Sequence, residues 1–305
     1  MKSILIIPTY NGGELWRTVS SAISAQKYDC EYVLTIDSSS DDNTREISES
    51  NGFQLIKIDK KAFNHGGTRN LAIDSIESIN DVDIAIFITQ DAIPEEHYIS
   101  KIVSSFEDPA VAIAYGRQLP HDNANPIARH ARMFNYGKDS HSLGLSDKPK
   151  YGIKTVFTSN SFSAYRINVF KELAGFPSNT ILSEDMYLAA KAVLAGYKVA
   201  YVAESAVKHS HNYTPLEEFK RYFDIGVFHH DEKWIREAFG GAGGEGKKFI
   251  VSEFRTLLKE NPSWIPRACL HNALKLFGYK LGQNYKKIPS KYIKKLSMHK
   301  RYWDK

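Results

Sequence analysis

The chain is poor in the features that staple, anchor or export a protein. Its two cysteines, Cys30 and Cys269, stand far apart in 305 residues, so neither a disulfide framework nor a cysteine-built zinc site is indicated. No apolar run approaches the roughly 20 residues that span a bilayer. Ile4–Ile7 is too short for the core of a secretory signal and leads straight into Pro8-Thr9-Tyr10-Asn11. Internal repeats and low-complexity tracts are also missing. What is left is ordinary for a folded protein, at 42% hydrophobic and 25% charged residues. The length suits one large domain, or one with an appendage, and a cytoplasmic setting is the default expectation.

Acid is scarce at one end. From Lys247 to Lys305 there are 15 Lys/Arg against 3 Asp/Glu, whereas the first 246 residues carry 25 against 32. Such asymmetry points the tail at something anionic, either a membrane surface or nucleic acid.

The most informative stretch is Ile84-Ala85-Ile86-Phe87-Ile88, followed by Thr89-Gln90-Asp91 and then Pro94-Glu95-Glu96. An unbroken apolar run of this length, bounded by turn chemistry, predicts a strand buried on both faces. The proline marks where the next helix should open. Asp91 then stands just past the carboxyl end of a central strand, where open α/β sheets bind ligands. It could equally cap the helix that follows.

Further strands are predicted at Lys2–Pro8, Glu31–Asp37, Phe53–Ile58 and Val111–Tyr115, alternating with helices at Glu14–Ala25, up to Ser50, and Thr68–Ile79. The alternation predicts an α/β domain with a mostly parallel central sheet and helices on both faces. Residues 117–154 are polar and read as a mobile loop, with one short helix near Ile127–Tyr136. That loop, with His121, His130 and Arg132, is a candidate lid. Thr155–Tyr165 and Tyr197–Ala203 read as strands, and Arg166–Ala174 and Glu184–Ala195 as helices. From Pro215 the signals are helical, broken at Gly240–Gly246. The expected organisation is a catalytic domain over 1–214, with halves 1–115 and 116–214, and a basic helical extension over 215–305.

Four polar clusters follow strands: Thr9-Tyr10-Asn11, Asp37–Asp42, Gly66-Gly67-Thr68-Arg69-Asn70, and Gln90-Asp91. In a parallel sheet most of them crowd one edge and can converge on one ligand. Each alone has a plain explanation as a turn or a cap. Their joint order carries the information.

That order resembles glycosyltransferase family 2, the inverting nucleotide-sugar enzymes with the Rossmann-like GT-A fold. The resemblance covers roughly residues 3–214. It rests on Ile7–Asn11, Ile36–Asp41, Gly66–Asn70, Gln90-Asp91-Ala92, Ser183-Glu184-Asp185 and a histidine-rich strand exit. More narrowly, Phe63–Asn70 with Thr89–Ala92 resembles the rhamnosyltransferase branch, whose donor is dTDP-L-rhamnose. The resemblance implies that Thr9, Tyr10, Asn11, Asp37, Gly66, Gly67, Arg69, Gln90 and Asp91 hold the donor nucleotide. A carboxylate can accept from a base N–H or ribose hydroxyls, and an arginine fork beside glycines suits a diphosphate. Arg69 could instead pair with Asp41 or Asp91.

In the family, the acid after the fourth strand binds a divalent cation, Mg²⁺ or Mn²⁺, that bridges the diphosphate. The usual Asp-x-Asp triplet is here Gln90-Asp91-Ala92, and one carboxylate is a poor cage for a hard cation. The resemblance implies a further ligand at His209 or His211, which share a face if the chain is extended there. Ordinary surface or core histidines are the alternative. It also implies Asp185 as the general base, with Glu184 orienting acceptor or base. The plain alternative is that Ser183 caps a helix whose N-terminus favours both acids. Asn160, in a polar segment before an apolar strand, is a weak candidate for acceptor contact.

The implied activity is transfer of L-rhamnose from dTDP-L-rhamnose to a hydroxyl of a surface-polysaccharide acceptor, O-antigen or capsule, on a polyprenyl-diphosphate carrier. A UDP-hexose donor is the alternative within the family. A nucleic-acid-binding α/β protein is a remote third, since the core is acidic and no nucleic-acid motif is present. In the tail, Phe249, Phe254, Trp264, Phe277, Tyr285, Tyr292 and Trp303 are interleaved with cations. Interfacial helices carry this mix, so the tail predicts peripheral association with the inner face of the cell membrane. A solvated appendage or a homodimer interface is the alternative.

Overall fold

The computed structural model describes residues 1–76, 81–241 and 244–304. The expected helix end at Ile79, part of the Gly240–Gly246 break and the terminal Lys305 lie outside them. The first half alternates as β1 (Ser3–Thr9), α1 (Gly13–Ser24), β2 (Val33–Asp37), α2 (Thr44–Ser50), β3 (Gln54–Lys57), α3 (His65–Asp74) and β4 (Ile84–Ile88). These strands pair in parallel in the order β3-β2-β1-β4. All five residues of β4 are buried. Ile84, Ile86 and Ile88 share a core with Trp16 and Val19 of α1, while Ala85 and Phe87 share the opposite core with Ile73 of α3 and Phe176. That is the period-two division of a strand covered on both sides. Each large side chain so placed contributes about 1.5–3 kcal/mol of burial.

The second half comprises β5 (Ile93–Pro94), α4 (Tyr98–Ser104), β6 (Val111–Leu119), α5 (Pro126–Asn135), β7 (His141–Leu143), α6 (Lys148–Tyr151), β8 (Phe162–Arg166), α7 (Ile167–Glu172), α8 (Glu184–Leu194) and β9 (Lys198–Lys208). Here the sheet is not mostly parallel. β8 lies between β4 and β6 and is antiparallel to both. The start of β8 meets the end of β4, with Phe162 opposite Ile88 and Thr89 N–H donating to Ser161 C=O at 3.2 Å. A strand that starts where its neighbour ends must run the other way, and this brings Asn160 to the edge that carries Asp91. Pro94 does not open a helix either. It sits in β5, at the end of the strand order, where its missing N–H is tolerated.

Residues 117–154 are built, not a loop. They hold the end of β6, α5, β7 and α6. The polar face of α5 that reads as loop is directed at another helix, with His130 and Phe134 packing against Phe249. Along β9 the register jumps, Gly116 facing Val202 and Arg117 facing Ala206. The strand therefore runs past Ala203 and delivers His209 and His211 at its exit.

The remaining helices are α9 (Pro215–Asp231), α10 (Lys233–Phe239), α11 (Glu245–Glu260), α12 (Ile265–Gln283) and α13 (Ser290–Leu296). Thr214 and Glu217 form a capping box at the start of α9, with Pro215 in its first turn. Packing is continuous across residue 214. Phe223, Val227, Phe228, Ile235 and Phe239 belong to the same core as Phe87 and Tyr165. α9 and α12 touch backbone to backbone: a Cβ on Gly282 would lie 2.0 Å from the Phe223 carbonyl oxygen. A side chain there would force the helices apart, at a cost of about 1–3 kcal/mol.

Candidate active site

Two groups of side chains meet at the carboxyl ends of β4 and β9. The first is Asp91 with His209 and His211. His209 Nε2 lies 3.5 Å from Asp91 Oδ1, and His211 Nε2 lies 3.7 Å from Asp91 Oδ2. One ligand atom from each residue falls within 4.8 Å of the others. Hydrogen bonds orient the His209 ring. Gln118 Nε2 donates to Ser159 Oγ at 2.9 Å, so its Oε1 accepts from His209 Nδ1 at 2.9 Å. Nε2 of His209 is then the ring atom turned toward the Asp91 carboxylate, where a divalent cation would take both as ligands.

The protonation states agree with such a use. Burial alone would raise the pKa of Asp91. The hydrogen bond from His209, the charges of His209 and His211, and Thr89 outweigh it and hold the group below the usual carboxylate range. Burial, then His209, pushes His211 down to about 4. One carboxylate and two imidazoles, with His209 oriented from behind by Gln118, are a fitting donor set for a divalent ion. Imidazoles favour Mn²⁺ over Mg²⁺, which prefers oxygen and water.

The second group surrounds Glu184 and Asp185 at the start of α8. Ser183 has φ +60 and makes no side-chain cap bond, so the plain capping explanation does not describe this turn. Asn160 organises it instead. Its N–H donates to Asp185 Oδ2 at 3.0 Å and its Nδ2 to Glu184 Oε1 at 2.8 Å. Its Oδ1 accepts from Ser163 and Tyr165 hydroxyls, both at 2.7 Å. With its amide engaged and only 4% of its surface exposed, Asn160 holds the two acids.

Arg69 completes this group, and its partner is neither Asp41 nor Asp91. Its guanidinium lies 3.2 Å from Glu184 Oε1 and donates to the His65 carbonyl at 2.8 Å. At 5% exposure it is sealed from solvent. Its contacts therefore brace the acids. The consequence is a division of labour between neighbours. Burial would raise Glu184, but Arg69, then His65 and Asn160, hold it ionised. Burial and the charge of Glu184 push Asp185 up to about 7. Acid pairs with separated proton affinities are how one site maintains a base poised near neutral pH.

The residues expected at the nucleotide mostly support its turn. Asp37 is fully buried, accepting from Ser40 N–H at 2.9 Å and from the Thr9 hydroxyl at 3.0 Å. Thr9 is buried with it. Gln90 pairs with Tyr10 in both directions, accepting from its N–H at 2.7 Å and donating to its carbonyl at 2.9 Å. Asn11 Oδ1 accepts from Asp41 N–H at 2.8 Å. Gly66 allows the chain to press on Pro177, whose carbonyl oxygen would lie 2.0 Å from a Cβ there. Gly67 N–H is capped by Asn64 Oδ1 at 2.8 Å. Tyr10 keeps a partly open ring, with the Lys60 ammonium 4.4 Å above its centroid and in contact with its hydroxyl.

Several contributors carry no local signal. Gln118 and Ser159 orient His209, and His121 Nε2 sits 3.1 Å from the Asp91 carbonyl oxygen. The tail, expected to leave the core, returns to it. Buried Asp224 accepts the N–H groups of Met298 and His299. His299 Nδ1 lies 3.4 Å from His65 Nε2, and Arg301 donates to the Lys60 carbonyl at 2.9 Å. Beside the triad opens a cleft of about 350 Å³, lined by Leu15, His121, Ser210, His211 and Tyr213 among others.

The family profile "Glycosyl transferase family 2" matches residues 4–174. The chain is 53% identical to the O-antigen chain rhamnosyltransferase RfbN of Salmonella typhimurium, over 100% of this chain and 96% of that protein. It is 50% identical to the O-antigen chain rhamnosyltransferase WbaN of Salmonella anatum, over 98% of this chain and 95% of that one. Among solved structures, a mannosyltransferase from Pyrobaculum calidifontis in complex with GDP-Man and Mn²⁺ superposes with TM-score 0.56 at 18% identity, covering 99% of this chain and 85% of that one. Staphylococcus aureus TarS in complex with UDP gives 0.54 at 14%, covering 94% and 92%. At such identities these two speak for the fold alone.

Proposed function

The chain belongs to glycosyl transferase family 2, and on that basis we propose that it transfers L-rhamnose from dTDP-L-rhamnose, with inversion, to a hydroxyl of a lipid-linked O-antigen acceptor. The divided acid pair carries the reaction type. Asp185 accepts the proton of the acceptor hydroxyl as its oxygen attacks the anomeric carbon. The bond from that carbon to the phosphate oxygen breaks on the opposite face, and its electron pair leaves with the diphosphate. Glu184, locked by Arg69 and Asn160, keeps the proton affinity of Asp185 high and its orientation constant. A divalent cation held by Asp91, His209 and His211 would neutralise charge on the leaving diphosphate. The sugar and the acceptor class are supported by the whole-length relationship to two O-antigen chain rhamnosyltransferases.

The donor is tested by thermal shift against dTDP-L-rhamnose, other dTDP-sugars and UDP-hexoses, each with Mn²⁺ or Mg²⁺. A ligand at a hundred times its Kd stabilises the folded state by about 2.7 kcal/mol. The largest shift is expected with dTDP-L-rhamnose and Mn²⁺. A larger shift with a UDP-hexose would replace rhamnose as the donor.

The tail fits an anionic membrane surface. Leu258 is 63% exposed, Leu276 62%, Phe277 59% and Tyr292 48%, on helices whose other exposed positions include many lysines. No helix among the described residues is long and apolar enough to cross a membrane. Cations near an anionic leaflet contribute about 1 kcal/mol each. The full chain should sediment with phosphatidylglycerol vesicles at low salt and be released by high salt. Absence of binding at low salt would remove this part of the reading.

A further inference from the structure

Two arginines, one of them over a ring that lines the cleft, have no ion-pair partner within 4 Å among the described residues. Arg132 on α5 lies 5.9 Å from the Tyr136 ring centroid. Arg221 on α9 lies 5.9 Å from that of Tyr213 and 6.0 Å from that of Tyr222. Among the described residues neither guanidinium makes an ion pair or donates a hydrogen bond, and Arg132 Nε is buried without a partner. The carboxylate whose field reaches Arg221, Glu218, is itself paired with Lys275 at 3.3 Å. The two arginines act on each other and on His211, and Arg132 also acts on Asp91. Arg132 stacks on Tyr136, whose ring feels the charge of Asp185, and Arg221 stacks on Tyr213, which lines the cleft.

Burial disfavours the charge of Arg132, which no anion contacts among the described residues, whereas burial of Arg221 is outweighed by Tyr222, Tyr213 and Glu218, which favour its charge. A guanidinium is shaped to grip phosphate oxygens in a fork, and aromatic stacking holds its plane without using its N–H donors. Arg132 comes from α5 and Arg221 from α9, neither of them from the turns expected at the nucleotide. We propose that Arg132 and Arg221 form a diphosphate site on the acceptor side of the cleft, filled by the carrier diphosphate of the acceptor or by the departing diphosphate of the donor. The inference rests on the transferase reading above and adds the residues that receive this second anion.

The test uses the full chain, with Arg132→Gln and Arg221→Gln. Calorimetry in EDTA measures binding of inorganic pyrophosphate without metal. Kinetics compare one saccharide acceptor presented on an alkyl diphosphate with the same saccharide as a neutral alkyl glycoside. Pyrophosphate affinity is expected to fall about tenfold or more in either variant. If the carrier is the source, KM for the diphosphate acceptor rises while the neutral acceptor is unaffected. If the donor is the source, kcat falls with both acceptors. Retention of pyrophosphate affinity and of every kinetic constant within about twofold in both variants would overturn the proposal. Should Arg221→Gln not fold, Arg132→Gln still gives the answer. Should the wild type transfer to neither acceptor, the transferase reading fails, and pyrophosphate binding alone still decides the site.

Discussion

Asp185→Asn lowers kcat by about a thousandfold, within the 10²–10⁴ range typical of a removed general base, while donor binding survives. The amide cannot accept the acceptor proton, yet it fills the same space, and its one oxygen accepts from one of the two N–H groups, of Asn160 and Met186, that reach different oxygens of the carboxylate. The pH profile separates this from a merely structural effect. Wild-type kcat/KM should fall with decreasing pH below about 7, where burial and Glu184 set the proton affinity of Asp185. Any residual rate of the variant should lack that limb.

Stability moves the other way. Because the folded pKa of Asp185 is raised above its unfolded value, the ionised carboxylate opposes folding. Its cost appears as pH rises above the ordinary carboxylate pKa and is complete above about 7. The difference in melting temperature should therefore shift in favour of the variant between pH 5 and pH 8. Turnover within a few-fold of wild type, or an unchanged acid limb, would end the assignment of Asp185 as base.

Asp91→Ala should cost about 10²–10³ in kcat/KM, since stabilisation by a cation at a leaving diphosphate amounts to several kcal/mol and each 1.36 kcal/mol is tenfold. It should also abolish the stabilisation by Mn²⁺ seen in thermal shift, because the site loses its one carboxylate. The double variant His209→Ala/His211→Ala should lose that stabilisation too. Survival of Mn²⁺-dependent stabilisation in the histidine variant, with its loss in Asp91→Ala, would reduce the site to the carboxylate alone. Mn²⁺ should outcompete Mg²⁺ in the wild type, and a preference for Mg²⁺ would argue against imidazole ligation.

Much of the nucleotide half was legible in the chain. The apolar run Ile84–Ile88 declares a strand covered on both faces, and the recurrent polar clusters mark strand exits on one edge. The approach of His209 and His211 to Asp91 matches what the family resemblance implied for that strand exit, where Gln90-Asp91-Ala92 is poor in acids. The second half was less legible. Residues 117–154 read as loop because the polar residues of α5 face another helix, and polarity alone does not distinguish water from a polar neighbour.

Strand length, burial and turn chemistry are encoded locally, in the period of apolar residues and in the few residue types that caps and turns accept. Those determined the α/β class and the strand edge at which Asp91 stands, while the acids Glu184 and Asp185 were what the family resemblance implied. Partnership is different. Arg69 meets Glu184, Asn160 binds both acids, and His299 returns to His65 only because segments distant in sequence are packed together. No local pattern records which charge a buried arginine will find. Tertiary structure therefore decided which candidate residues are tied to one another: Arg69 to Glu184, Asn160 to Glu184 and Asp185, Asp37 to Thr9 and Ser40, Gln90 to Tyr10, and Asp91 to His209 and His211.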